Sequence, residues 1–332
     1  MKALVTGGGG FLGSAIVKTL LDRGDVVKTI QRGDYPFLKE WGIEAIQGDL
    51  TRPDDINAAV KDCDVVFHVA AKAGVWGDYD DYYQANVVAT KNVIDACKKN
   101  NIHYLVYTST PSVVFDGNDE DGINESAPYA KKYFNAYQET KVEAEQFVIN
   151  TNNTDLKTVS LRPHLIWGPG DPHLAPGIIS RAKTGRLKLV GNKNNKIDSC
   201  YIDNAVQAHL LAAECLQSNG VCAGKVYFIS NDEPITMLDL INRILATAKL
   251  PRVNKTVPEN VAYRVGFILE KVYTLLNIKN EPIMTRFIAR QLSTSHWFDL
   301  TAAKQDLGYQ PLVSLDEGMK CLEESLALEL IK

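Results

Sequence analysis

The chain is poor in the features that announce covalent or metal scaffolding. Its six cysteines, Cys63, Cys97, Cys200, Cys215, Cys222 and Cys321, form no C-x-x-C pair and have no histidine spaced to complete a zinc site. A disulfide framework and a structural zinc site are therefore not expected, and the thiols read as reduced. None of His68, His103, His164, His173, His209 and His296 pairs at i,i+4 on one expected helix face, so no metal is assigned. No run reaches the length of a spanning helix, because Arg264, Glu270 and Lys271 interrupt the most apolar C-terminal stretch. Charge of one sign is not in excess: 36 Lys and Arg face 40 Asp and Glu, a net charge of −4, with no basic block. That excludes the electrostatic footprint of a nucleic-acid binder. The chain passes from Met1-Lys2 straight into Ala3-Leu4-Val5, which leaves no room for a signal peptide, so a cytoplasmic location is expected.

What is present is an ordinary globular composition, 45% hydrophobic and 23% charged over 332 residues, enough for roughly two domains. Short β-branched runs alternate with segments of helical period from the N-terminus onward. Strands are expected at 2–6, 26–31, 43–47, 64–69, 103–109 and 156–162, and helices at about 12–22, 54–61, 80–99 and 129–149. This alternation is the pattern of parallel βαβ units, so the fold class is α/β, a Rossmann-type doubly wound parallel sheet. Beyond Arg162 Pro and Gly interrupt the pattern, and a smaller, interleaved C-terminal substrate domain is expected. The boundaries are 1–165 for the dinucleotide-binding part, with strands near 196–202 and 225–229 returning to its sheet, and 166–195 plus 231–332 for the remainder.

The strongest local signal is Thr6-Gly7-Gly8-Gly9-Gly10-Phe11-Leu12-Gly13, between the first expected strand and the first expected helix. Gly7 permits a tight turn, Gly10 lets backbone approach a pyrophosphate, and Gly13 lets helix and strand pack closely. Gln31 and Arg32 stand where NAD-selective chains place an acidic residue for the ribose 2′-OH. A guanidinium there pairs with a 2′-phosphate, so NADP(H) is the preferred cofactor, while nearby Asp34 keeps NAD(H) open. Asp49, in Gly48-Asp49-Leu50 after the third strand, is placed to accept from the adenine amino group.

Two Tyr-x-x-x-Lys pairs occur, Tyr35/Lys39 and Tyr137/Lys141. Pro36 makes a helical face hard to form at the first, which is expected in a loop. Tyr137 lies within a long helical pattern, so Lys141 follows one turn later on the same face. There the ammonium is expected to lower the phenol pKa and make Tyr137 a general acid or base. Thr110, just past the strand ending in Thr108-Ser109, offers a hydroxyl to a substrate oxygen.

Together with Asp49, His68-Val69-Ala70-Ala71, Asn86-Val87-Val88, Arg162-Pro163-His164-Leu165-Ile166-Trp167-Gly168-Pro169-Gly170, Tyr201-Ile202-Asp203-Asn204 and Leu307-Gly308-Tyr309-Gln310-Pro311, these motifs resemble the extended short-chain dehydrogenase/reductases over nearly the whole chain. Lys72-Ala73-Gly74-Val75-Trp76-Gly77-Asp78-Tyr79 and Thr110-Pro111-Ser112-Val113-Val114-Phe115-Asp116-Gly117 are similar to the 3β-hydroxysteroid dehydrogenase branch. The resemblance implies Thr110, Tyr137 and Lys141 as catalytic residues. It implies cofactor contacts from Gly7, Gly10, Phe11, Leu12, Gly13, Arg32, Asp49, Leu50, Ala70, Ala71, Lys72, Asn86, Tyr137, Lys141, Pro163, Leu165 and Ile166. Thr110 stands where many members have Ser. Pro111-Ser112 occupies the place of the Asp-Glu pair of the 4,6-dehydratases, which disfavours that chemistry.

The expected activity is reduction of a 3-oxo, lipid-like substrate. A sterol dehydrogenase, a nucleotide-sugar epimerase and a nonenzymatic NADP-binding protein are the alternatives. The apolar segment Val261 to Leu276 reads either as core or as a wall or membrane-facing surface for a long acyl chain or sterol. A homodimer and a peripheral membrane or pathway-enzyme contact are the expected partners, with no nucleic acid.

Overall fold

The structure, a computed structural model, describes residues 1–329. Seven parallel strands form the central sheet: β1 (Lys2–Thr6), β2 (Val26–Gln31), β3 (Glu44–Gln47), β4 (Val65–His68), β5 (Tyr104–Thr108), β6 (Lys157–Pro163) and β7 (Val226–Ile229). Their order is β7-β6-β5-β4-β1-β2-β3. The chain reverses its direction of winding between β1 and β4, which opens a crevice at the C-terminal ends of those two strands. Leu4, Val5, Val66, Phe67 and Val106 are wholly buried, as strands covered on both faces require.

Helix α1 (Phe11–Asp22) begins at Gly10, with no side-chain cap and no acidic residue in its first turn. Its orphan N–H groups are thus left for another partner. The run 80–99 was expected as one regular helix, but Tyr83–Val88 is a π-helical turn that leads into α2 (Ala89–Lys99). The expected helix over 129–149 begins instead at α3 (Ala136–Thr151), because Asn135 is extended and its side chain accepts the Gln138 amide. Pro36 opens a single-turn helix, Pro36–Glu40, with Tyr35 as its N-cap, where a loop was expected.

Of the segments expected to return to the central sheet, only 225–229 does so, as β7 beside β6. The run 196–202 divides between two other sheets. Lys196–Ile197 joins a four-stranded sheet with Ile235–Thr236, His296–Phe298 and Glu120–Ile123, and Cys200–Tyr201 pairs with Ile166–Trp167. Buried Asp198 and Ser199 separate the two pieces, and the Asp198 carboxylate bonds across to His164 and to the Phe298 amide. All six cysteines are free, and among the described residues no group of His, Cys, Asp and Glu could hold a metal ion.

Candidate active site

One cleft of about 2090 Å³ runs from the crevice between β1 and β4 to the C-terminal elements. Gly7, Gly10, Phe11, Leu12, Gly13, Arg32, Asp49, Leu50, Ala70, Ala71, Lys72, Thr110, Tyr137, Lys141, Pro163, Leu165 and Ile166 all line it. Asn86 does not. It is buried in the π-turn behind the wall, where its Oδ1 accepts the Lys72 amide at 2.7 Å and its Nδ2 donates to the Lys72 carbonyl at 3.1 Å. Its two bonds to the Lys72 backbone fix the wall without reaching the cleft.

The glycine loop is shaped to leave space. Gly7 has φ +72°, and a Cβ at Gly13 would fall 2.2 Å from the Gly7 carbonyl oxygen, so only glycine allows α1 to start this close to β1. Thr6 ties the loop to the opposite wall. Its hydroxyl oxygen accepts the amides of Val69 and Ala70, each at 3.1 Å, and its proton goes to His68 Nδ1 at 2.8 Å. His68 Nε2 then donates to Thr90 Oγ1 at 2.9 Å. Burial pushes the His68 pKa down to about 3, with the Lys141 charge adding to the effect, so this imidazole is a neutral structural link. The cradle of uncapped N–H groups and missing Cβ atoms fits a pyrophosphate. At its far end Tyr35, whose ring lies over Gly9 and Gly33, lines the cleft beside Arg32. Asp34 does not line it and instead pairs with Lys39 at 2.9 Å, both well exposed. The Asp49 carboxyl is held low, first by the Thr51 amide and with a contribution from the Arg32 charge.

Thr110 caps the one-turn 3₁₀ helix Pro111–Val113, accepting the Ser112 amide at 3.2 Å. Tyr137 and Lys141 project from the first turns of α3. Burial raises the Tyr137 phenol pKa and the Thr110 hydroxyl works against that rise. The expectation that Lys141 lowers this pKa is not met here. The Lys141 ammonium turns away to donate to the Tyr107 hydroxyl and the Thr108 carbonyl, each at 2.7 Å, and burial pushes its own pKa down to about 7. A half-neutral amine engaged with two other acceptors exerts little field on the phenol.

Three groups around the pair escaped the sequence reading. Tyr107, fully buried with its pKa raised by burial, receives the Lys141 proton. Glu145, one turn beyond Lys141, supports the amine's charged form and is itself held by Arg162 at 2.6 Å and Ser160 at 2.9 Å. Arg162 is 2% exposed, and its guanidinium packs over the Tyr129 and Phe228 rings. The i,i+4 spacing of Lys141 and Glu145 was visible; their partner on β6 was not.

The 3-beta hydroxysteroid dehydrogenase/isomerase family matches residues 4–257. A 2-alkyl-3-oxoalkanoate reductase of Shewanella oneidensis is 54% identical over 98% of this chain and 86% of its own length. A decarboxylating sterol-4-alpha-carboxylate 3-dehydrogenase of Mus musculus is 35% identical over 96% of this chain and 89% of its own. Among solved structures, a UDP-glucose 4-epimerase from Thermotoga maritima superposes with a TM-score of 0.78 over 99% of this chain and all of its own, at 21% identity. At that identity the likeness is one of fold.

Proposed function

This chain belongs to the 3-beta hydroxysteroid dehydrogenase/isomerase family of NAD(P)-dependent oxidoreductases, and on that premise we propose that it reduces 2-alkyl-3-oxoalkanoates to 3-hydroxy acids with NADP(H). The observation that carries the reading is the convergence of Thr110, Tyr137 and Lys141 on the same cleft that the glycine loop borders, in a chain 54% identical to a reductase of that name.

The uncapped start of α1 holds the pyrophosphate, and Asp49 takes the adenosine end. Arg32 makes no ion pair among the described residues and lines the cleft, whereas Asp34 is diverted to Lys39. This supports a 2′-phosphate at Arg32 and hence NADP(H). The nicotinamide, when bound, supplies the hydride. Thr110 donates a hydrogen bond to the 3-oxo oxygen and orients it toward the phenol. Tyr137, kept protonated by burial, delivers its proton to that oxygen as the carbon is reduced. Lys141 holds the nicotinamide ribose. Because the cofactor carries the redox step, orientation and proton delivery are the protein's share. Residues 1–165, with β7 and its preceding helix, carry the cofactor, and the remainder shapes the substrate end.

The helix Glu259–Leu275 has only Ala262 and Gly266 buried. Val265, Ile268, Leu275, Leu276 and Ile283 are 42–85% exposed, and Val261, Val265 and Ile283 also line the cleft. An apolar ridge that runs into the cleft mouth supports delivery of an alkyl substrate from a lipid surface.

Tyr137→Phe is the direct test. NADPH binding by fluorescence titration is expected to be retained while reduction of a 2-alkyl-3-oxoalkanoate falls by roughly 10³-fold or more. Turnover within about tenfold of the parent would overturn the assignment of the proton donor.

A further inference from the structure

Three histidines line the cleft; His173 is exposed, and the two buried ones each stand on a buried carboxylate. His164, immediately after β6, is 7% exposed. Its Nδ1 bonds Asp198 Oδ1 at 2.8 Å, and Asp198 Oδ2 accepts the Phe298 amide at 3.0 Å, which fixes the carboxylate. His296 lies 6.1 Å away between ring centroids. Its Nδ1 meets Glu120 Oε2 at 3.1 Å, and its Nε2 is shared by Thr294 Oγ1 and the Gln291 carbonyl. His296 is saturated. His164 is not: among the described residues its Nε2 has no hydrogen-bond partner, and this nitrogen is the one left to the cleft.

We propose that His164, held by Asp198, recognises the carboxylate of the substrate, its Nε2–H donating to a carboxylate oxygen. The inference rests on the reading of the substrate as a 3-oxo acid. In such a molecule the carboxyl carbon is two bonds from the carbon being reduced, so its anchor must sit close to Thr110 and Tyr137. β5 and β6 are adjacent, with Thr108 opposite Leu161, which sets the residues just past both strand ends side by side. His164 thus follows the strand next to the one that leads to Thr110, and both residues line the cleft.

The other cations along the cleft are accounted for. Arg32 lies at the adenosine end, Lys72 is paired with Asp81 at 2.7 Å, Lys141 serves Tyr107 and Thr108, and Arg181, Arg186 and Lys188 are exposed at the rim. A substrate carboxylate facing a neutral His164 would see the negative Asp198 behind it. Facing an imidazolium it completes a neutral-plus-anion arrangement in which every charge has a hydrogen-bonded partner. The remaining ionisable groups at this end are His296, Glu120, the exposed His173 and Glu281, and Asp171, the last occupied by the amides of His173, Leu174 and Ala175.

The test compares a 2-alkyl-3-hydroxyalkanoate with its methyl ester, both oxidised with NADP+ by the full chain. For the parent, KM for the acid is expected to lie about tenfold or more below KM for the ester. His164→Gln retains a donor for Asp198 and is expected to raise the acid KM roughly 10- to 100-fold. Its ester KM should stay within about twofold. Equal losses on acid and ester, or an unchanged acid KM, overturn the proposal.

A second measurement does not need turnover. Calorimetry of a 2-alkylalkanoate binding to the NADP+-loaded parent and to His164→Gln is expected to show an affinity lower by roughly 10- to 100-fold in the variant. No binding to the parent, or equal affinity of the two proteins, overturns the carboxylate site. If the parent oxidises neither compound, the functional reading fails, and the calorimetry still decides the site on its own.

Discussion

Replacing Lys141 by methionine separates what the buried amine costs from what it does. Its pKa stands at about 7 against an ordinary 10.5. Between those values the unfolded chain holds a proton at this position that the folded chain has released. Folding stability from this group therefore increases as pH rises through that window. With a folded value near 7, half the sites are already neutral at pH 7, and integrating from pH 7 to pH 9 gives a gain of about 2 kcal/mol. Methionine is unbranched and of similar length, so it keeps most of the packing but leaves the Tyr107 hydroxyl and the Thr108 carbonyl without the Nζ donor. The absolute stability change at pH 7 mixes those lost bonds with relief from burying an amine.

The pH slope does not mix them. In urea unfolding at pH 7, 8 and 9, the parent is expected to gain about 2 kcal/mol relative to Lys141→Met across the range. Tyr107, Tyr137 and the buried thiols have raised folded pKa values, and their contributions fall away at the upper end. Tyr137 and the thiols are common to both proteins and cancel in the difference, and Tyr107, which loses its Nζ donor in the variant, is held protonated by burial throughout pH 7–9. A difference constant to within about 0.5 kcal/mol would mean that Lys141 titrates as an ordinary lysine, and would refute the account of its environment. The same variant is expected to lose reductase activity.

Other outcomes follow from the same geometry. Glu145→Gln leaves the Arg162 guanidinium buried without its counter-charge and should destabilise the chain by roughly 3–5 kcal/mol in denaturant unfolding. It also removes the charge that raises the Lys141 pKa, so the limb of the pH–rate profile set by Lys141 should move to lower pH. Arg32→Ala is expected to reduce kcat/KM with NADPH by roughly 10- to 100-fold and to leave the NADH value within about threefold; equal changes for both cofactors would remove Arg32 from the 2′-phosphate site. Co-sedimentation with liposomes is expected for the parent and should weaken when Ile268 and Leu275 are both changed to Ser; identical partitioning of the two proteins would mean the ridge does not touch lipid.

The glycine loop and the central sheet were legible because they depend on local requirements: β-branched runs, a φ only glycine tolerates, and a helix start without a side-chain cap. Tyr137 and Lys141 were legible for a related reason, since four residues along a helix place two side chains on one face. The electrostatics of that pair was not. The amine's neighbours, Tyr107 on β5 and Glu145 backed by Arg162 on β6, come together only when the strands pair, and burial then reverses the expected direction of the Tyr137 shift. Asn86 shows the same division: its motif was visible, but the π-turn that points it at the Lys72 backbone instead of the cleft depends on packing. The dyad of His164 and Asp198 is the clearest case, because the two lie 34 residues apart in the chain and are joined by a carboxylate that sits between two small sheets. Sequence thus determined the glycine loop and the pairing of Tyr137 with Lys141 on one helix face, both of which rest on short-range spacing. Tertiary structure decided the charge states around them and the groups offered to the substrate, because both depend on desolvation and on contacts between distant segments.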